Sequence, residues 1–140
     1  MQEYTVKVYD DCTRWYQNGK FHRLDGPAIE YNNGSKYWLQ NGEFHRTDGP
    51  SIEYADGSKN WHQNGKKHRL DGPAIEWANG DKYWYQNGQR HRLDGPAVEY
   101  ADGCKEYWEN GIQIQDPNKT KEMTVAEIAK ELGYNVKIVK

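Results

Sequence analysis

Aliphatic residues are scarce in this chain: Leu, Ile, Val and Phe together make up 20 of its 140 residues. So small a store excludes a large aliphatic core, and with a high net charge it would mean disorder. Net charge, however, is only −2, from 19 Lys and Arg against 21 Asp and Glu. The missing basic excess excludes a protein that gains its affinity by neutralising phosphates, so nucleic acid is not expected as a partner. Apolar runs of the roughly 18 to 20 residues that cross a bilayer are missing too, and no membrane partner is expected. The opening MQEYTVKVYD lacks the basic-then-apolar pattern of a secretory leader, so a cytoplasmic protein is expected. Cysteine is limited to Cys12 and Cys104, too few for a disulfide framework and wrongly spaced for a zinc knuckle. Both are expected as free thiols. No phosphate loop, nucleophile–base pair or metal motif occurs, so neither an enzyme nor a cofactor is expected.

What the chain has in quantity is Tyr, Trp and Gly, eleven, six and fourteen of them, and they recur with a period of 23. Asn-Gly stands at Asn18, Asn41, Asn64, Asn87 and Asn110, and an HR-x-DGP element begins at His22, His45, His68 and His91. Trp15, Trp38, Trp61 and Trp84 keep the same phase, with Tyr107 in fifth place. The repeat covers residues 12–111, and such periodicity marks an array of small units that stack to bury a shared core.

Within one unit, PAIEYNNGSKYWLQNGEFHRTDG, two runs rich in Ile, Tyr and Trp are separated by turn residues and predict two strands. Asn32-Asn33-Gly34 fits a three-residue hairpin loop whose Gly takes the left-handed region. That register sets Glu30 opposite Lys36, with Glu53/Lys59, Glu76/Lys82 and Glu99/Lys105 in later copies. Every copy then carries an opposite-charge pair. Alternation places Ile29, Tyr31, Tyr37 and Leu39 on one face, and Ala28, Glu30, Lys36, Trp38 and Gln40 on the other. A β-branched row (Ile29, Ile52, Ile75, Val98) and an aromatic row (Tyr31, Tyr54, Trp77, Tyr100) should run along the array. Pro27, Pro50, Pro73 and Pro96 should start a strand after an Asp-Gly bend.

The pattern W-x-Q-N-G-x-x-H, then Gly, then Y-x-x-G-x-K-Y resembles the MORN repeat, above all the MORN-like arrays of bacterial and bacteriophage proteins with NG-x-x-HR-x-DGPA units. The resemblance implies an all-β fold: an elongated single-layer array of stacked antiparallel hairpins. It also implies a small phage product that engages a host protein in the host cytoplasm. Arg23, Arg46, Arg69 and Arg92 stand where MORN repeats usually have Gly, so a membrane-lipid role is not carried over.

Outside the array, residues 1–11 are expected as an N-terminal capping strand and 112–122 as a linker. Residues 123–140 are expected as a helix–strand cap over the last repeat, a device open arrays need for solubility. Thr124-Val-Ala-Glu127 is a capping box, Gly133 a helix stop, and NVKIVK alternates as a strand. This C-terminal segment also offers a route to a homo-oligomer.

Two rows could carry binding. His22, His45, His68 and His91 with Arg23, Arg46, Arg69 and Arg92 either build the four bends or form a polyvalent surface for an acidic partner or small anion. Four equivalent copies argue against catalysis, and side chains about 9.5 Å apart cannot share one metal ion. The Trp15, Trp38, Trp61 and Trp84 row is either half-covered by its neighbours or a contact stripe. The favoured reading is a non-catalytic module that binds another protein, with nucleotides or other small anions as the alternative ligand. Residues that leave their column, His62, Asn60, Glu106 and Lys67, are the other candidates for a specific role.

Overall fold

The computed structural model describes residues 3–119 and 123–133; the expected NVKIVK strand lies outside the described residues. Among the described residues the repeats form one long antiparallel sheet of twelve short strands, joined by three two-stranded ribbons and followed by one short helix.

Chemistry local to each unit sets the main hairpin. Asn-Asn-Gly can close a tight loop because Gly34 takes φ +96°. Tyr31 N–H then reaches the Ser35 carbonyl at 2.9 Å and Gly34 N–H the Tyr31 carbonyl at 3.0 Å. The loop fixes the register: Glu30 faces Lys36, Glu53 faces Lys59, Glu76 faces Lys82 and Glu99 faces Lys105. Neighbouring repeats continue the row with Lys36 opposite Glu53, Lys59 opposite Glu76 and Lys82 opposite Glu99. In register, Glu53, Glu76 and Glu99 each lie between two Lys positions and Glu30 between Thr13 and Lys36, while the ion pair each carboxylate forms is with the Arg of its own bend. Such cross-strand pairs contribute about 0.2–1 kcal/mol each.

The three middle repeats hold four short strands each where the sequence pattern suggested two; at the ends Cys12–Gln17 and Lys105–Glu109 run unbroken, and the latter pairs with Ile112–Ile114, a strand at the start of the expected 112–122 linker. Strand Lys36–Tyr37 stays in the main sheet, whereas Leu39–Gln40 pairs with Glu43–Phe44 in a separate ribbon. Trp38 is the corner between them. Its N–H donates to the Ser51 carbonyl of the next repeat at 2.7 Å, and its own carbonyl accepts from His45 N–H at 3.1 Å. Asn-Gly closes the ribbon: Asn41 and Gly42 have φ of 51° and 82°, the pair of positive angles that a two-residue hairpin matching strand twist requires.

Folding at this corner changes the expected faces. Ile29 and Leu39 are buried together as anticipated, joined by Cys12, with Tyr31, Tyr37, Phe21 and Phe44 packed against them. Ala28, expected on the opposite side, joins the same buried cluster. The β-branched row is buried throughout: Ile29, Ile52, Ile75 and Val98. Rings from successive repeats form an aromatic ladder, Tyr31 to Tyr37 at 5.2 Å, Tyr37 to Tyr54 at 6.1 Å and Tyr54 to Trp77 at 6.4 Å.

Repeats are also fastened at both edges. At the Asn-Gly ribbons, Gly42, Gly65, Gly88 and Gly111 donate N–H to Phe21, Phe44, Lys67 and Arg90 carbonyls at 2.9–3.0 Å. At the opposite edge, Ser35 Oγ, Ser58 Oγ and Asp81 Oδ1 accept from Ala55, Ala78 and Ala101 N–H. Cys104 fills this column in the final repeat and is exposed, while Cys12 is buried; both are free thiols.

The array starts with strand Thr5–Val8 paired to Cys12–Gln17. Its far end differs from the expectation of a helical lid. The helix Val125–Leu132 forms with its capping box, N-cap Thr124 and a left-handed Gly133 at the C-cap, yet it buries none of its residues. Glu106, in the column held by Tyr37 and Tyr83, closes the last repeat instead. Its carboxylate accepts Trp108 Nε1–H at 2.8 Å and the Tyr100 hydroxyl at 3.0 Å, with Arg90 at 3.9 Å. A carboxylate that ties down the rim of the terminal core serves where a capping repeat presents a polar outer face.

Among the described residues no helix is long and apolar enough to cross a membrane.

Candidate functional site

The HR-x-DGP elements line one edge of the array as a row of identical bends. In each, the Arg guanidinium folds back over its own turn. Arg69 donates Nε–H to Asp71 at 3.0 Å, and Nη1 reaches the Pro73 carbonyl at 3.1 Å and the Glu76 carboxylate at 3.0 Å. Its plane lies 3.9 Å from the Trp61 ring centroid. Arg23 on Trp15, Arg46 on Trp38 and Arg92 on Trp84 repeat the stack at 4.1, 3.9 and 4.1 Å, and each makes the same three polar contacts. Glycine after Asp makes room for this: a Cβ on Gly72 would stand 2.9 Å from Arg69 Cζ. Asp25, Asp48, Asp71 and Asp94 have their pKa values lowered, first by the hydrogen bond from Arg and then by its charge.

The four His residues belong to the joints between repeats. Nδ1 of His22, His45, His68 and His91 accepts the N–H of Asn41, Asn64, Asn87 and Asn110 in the next ribbon, at 2.9–3.1 Å. An accepting Nδ1 places the proton of the neutral ring on Nε2. His22 is buried; His45, His68 and His91 keep partial access to solvent.

Sequence reasoning thus named the Arg, Trp and His rows, and the structure brings Arg and Trp together while turning His Nδ1 toward the neighbouring ribbon. It missed the leucine in the middle of the bend. Leu24, Leu70 and Leu93 are 54%, 77% and 76% exposed, with Thr47 in the same column. An apolar side chain inside an otherwise polar turn was the signal available.

Three equivalent grooves lie between consecutive bends. One, of about 430 Å³, runs between Arg23–Pro27 and His45–Asp48 with Trp38 and Gln40. The second, of about 650 Å³, is lined by Arg46–Gly49, Trp61, Gln63 and His68–Asp71. The third, of about 600 Å³, is lined by Arg69–Pro73, Trp84, Gln86 and His91–Asp94. Each offers an aromatic edge, a leucine or threonine, a His Nε2–H donor and an Asp carboxylate.

Three residues that break the repeat meet in the core. Ser51 replaces the Ala of other repeats, and its Oγ lies 2.7 Å from His62 Nδ1 and 3.1 Å from the Asn60 carbonyl. His62 stacks near Phe44, ring centroids 5.2 Å apart. Burial, with a smaller contribution from the Lys67 charge, pushes the His62 pKa down to about 4. Asn60 Oδ1 is buried without a hydrogen-bond partner. Ser51 is fully buried and carries no accessible nucleophile. Lys67 stands 5.2 Å from the Tyr85 ring centroid. Among the described residues, no three His, Cys, Asp or Glu side chains converge as a metal site.

No protein-family model matches the chain, and no curated protein matches it.

Proposed function

We propose that the chain is a non-catalytic, MORN-like repeat protein that binds another protein along the edge formed by its HR-x-DGP bends. The observation that carries this reading is the row of three like grooves, each rimmed by exposed Leu or Thr and floored by Trp. Exposed apolar side chains set beside Trp and Arg have the composition of interaction hot spots, and their repetition gives one partner several equivalent footholds. Four copies of the same constellation suit recognition better than catalysis, which needs one asymmetric arrangement of acid, base and binding groups.

The alternative ligand, a nucleotide or other small anion, gains less from this edge. Each Arg already spends its Nε and Nη1 on Asp, Glu and a carbonyl, so an incoming phosphate would compete with two carboxylates. By the resemblance to phage arrays, the partner is a bacterial host protein.

Pull-down from a bacterial lysate with wild-type protein and the Leu70→Ser/Leu93→Ser variant tests the reading. A stoichiometric protein held by the wild type and lost by the variant, at unchanged Tm, is the expected result. Equal retention by both would move the binding surface elsewhere. No captured protein, together with a metabolite that raises Tm, would hand the function to the small-anion reading.

A further inference from the structure

We propose that the bend edge receives a polyproline II segment of the partner that carries Lys or Arg at every third residue. The proposal rests on the protein-binding reading above and adds the chemistry of what is bound.

Spacing is the first argument. Successive repeats place two strands each in the main sheet, so equivalent grooves advance by about 9.5 Å. A polyproline II helix has three residues per turn and rises ~3.1 Å per residue, so it returns to the same face every ~9.3 Å. A β-strand cannot match this, because its third residues alternate between opposite faces. An α-helix returns to nearly the same face after seven residues, about 10.5 Å, and falls out of step by about 1 Å at each groove.

Charge selects the residue at the repeating position. Asp25, Asp48, Asp71 and Asp94 point outward, each side chain more than four-fifths exposed. Oδ1 is taken by the Arg Nε–H. With Oδ1 held by Arg on so exposed a side chain, Oδ2 is the carboxylate oxygen that each repeat offers to a cation. The Arg behind it is balanced by a second carboxylate, Glu30, Glu53, Glu76 or Glu99, so its charge does not repel an incoming cation in full.

The rest of the groove suits the residues between the cations. Leu24, Leu70 and Leu93 stand beside the edges of Trp38, Trp61 and Trp84, and proline-rich segments dock in aromatic-lined grooves. A polyproline II chain leaves its own carbonyls unbonded. The Nε2–H of His45, His68 and His91, set by the Nδ1 contact to the next ribbon, is a donor for them at the same spacing.

Fluorescence anisotropy with a labelled (Pro-Pro-Lys)4 peptide is the test, run beside an isomer of the same composition with its four Lys contiguous and beside (Pro-Pro-Glu)4. The three-periodic peptide should bind at least tenfold tighter than the isomer, and the Glu peptide should not bind. Leu70→Ser/Leu93→Ser, both at exposed positions, should weaken it at least fivefold at unchanged Tm. Equal binding of the two Lys peptides would overturn the proposal by reducing it to unspecific charge attraction. Absence of binding by (Pro-Pro-Lys)4 would overturn it as well. If the peptides fail while the same variant still loses a protein in pull-down, the protein-binding reading stands and only the partner's chemistry is wrong.

Discussion

Two neighbouring seams of the array share one backbone and differ in filling. The repeat that starts at Pro73 fills its core columns with Ala74, Tyr83 and Tyr85, while the one that starts at Pro50 fills them with Ser51, Asn60 and His62. Backbone bonds are the same in both: Ser51 N–H to the Asn60 carbonyl and Ala74 N–H to the Tyr83 carbonyl, each 2.8 Å. The ladder therefore does not require an apolar filling. What changes is the cost of burial, since one seam is closed by rings and the other by a hydrogen-bonded polar set with one orphaned oxygen. A polar set can be withdrawn by pH or by one substitution, so the middle of the array is its most conditional joint.

Acid should break this comparison most strongly. The buried His62 ring takes a proton only near pH 4, against an ordinary 6.5. Between these values the unfolded chain binds more protons than the folded one, so stability falls as pH drops from 6.5 toward 4. It is fully present above that window. The loss should amount to about 3 kcal/mol. Urea unfolding of wild type and His62→Leu at pH 7 and pH 4 measures it: the difference between the two proteins should shrink or reverse at the lower pH. Parallel losses in both would assign the acid sensitivity to other groups.

Arg69→Ala comes next. It removes the lid of Trp61 together with three polar contacts and leaves Glu76 without that partner. Buried or half-buried networks of this kind lose on the order of 2 kcal/mol when one member goes, and a Tm fall of several degrees should report it. Lys at the same site cannot supply the planar fork that stacks and bonds at once, so Arg69→Lys should recover less than half of the loss. Asn60→Tyr works in the opposite direction. It removes the orphaned Oδ1 and restores the ring of the Tyr37 and Tyr83 column, and should stabilise by about 1 kcal/mol in the same urea assay.

Much of this architecture was legible because it is written in local chemistry. A fixed loop length with Gly at its third place sets the Glu30–Lys36 register, and Thr124 with Glu127 three residues on is a helix start wherever it occurs. The corner at Trp38 was not legible, because its N–H is claimed by a residue of the next repeat and its carbonyl by its own ribbon. Arg on Trp was hidden for a similar reason: eight residues separate Trp15 from Arg23, and only the ribbon's return stacks them. Ser51 and His62 each read as single departures from a column. They become one feature only when the hairpin of their repeat folds the two positions, eleven residues apart, against each other.

The two ends of the core sharpen the same contrast with the smallest effect. An amphipathic helix after an open array reads as its lid, yet Val125, Ile128 and Leu132 stay exposed while Glu106 ties Trp108, Tyr100 and Arg90 across the last repeat. If closure is the task of Glu106, Glu106→Ala should cost about 1 kcal/mol, because the indole N–H and the phenol lose their acceptor. Removal of residues 123–140 should change stability by less than about 0.5 kcal/mol, since none of the residues of the described helix is itself buried. Thermal unfolding of the two variants ranks them directly. A truncation more damaging than Glu106→Ala would restore the helix as the lid, for a terminal core cannot lose its cover without showing it in Tm.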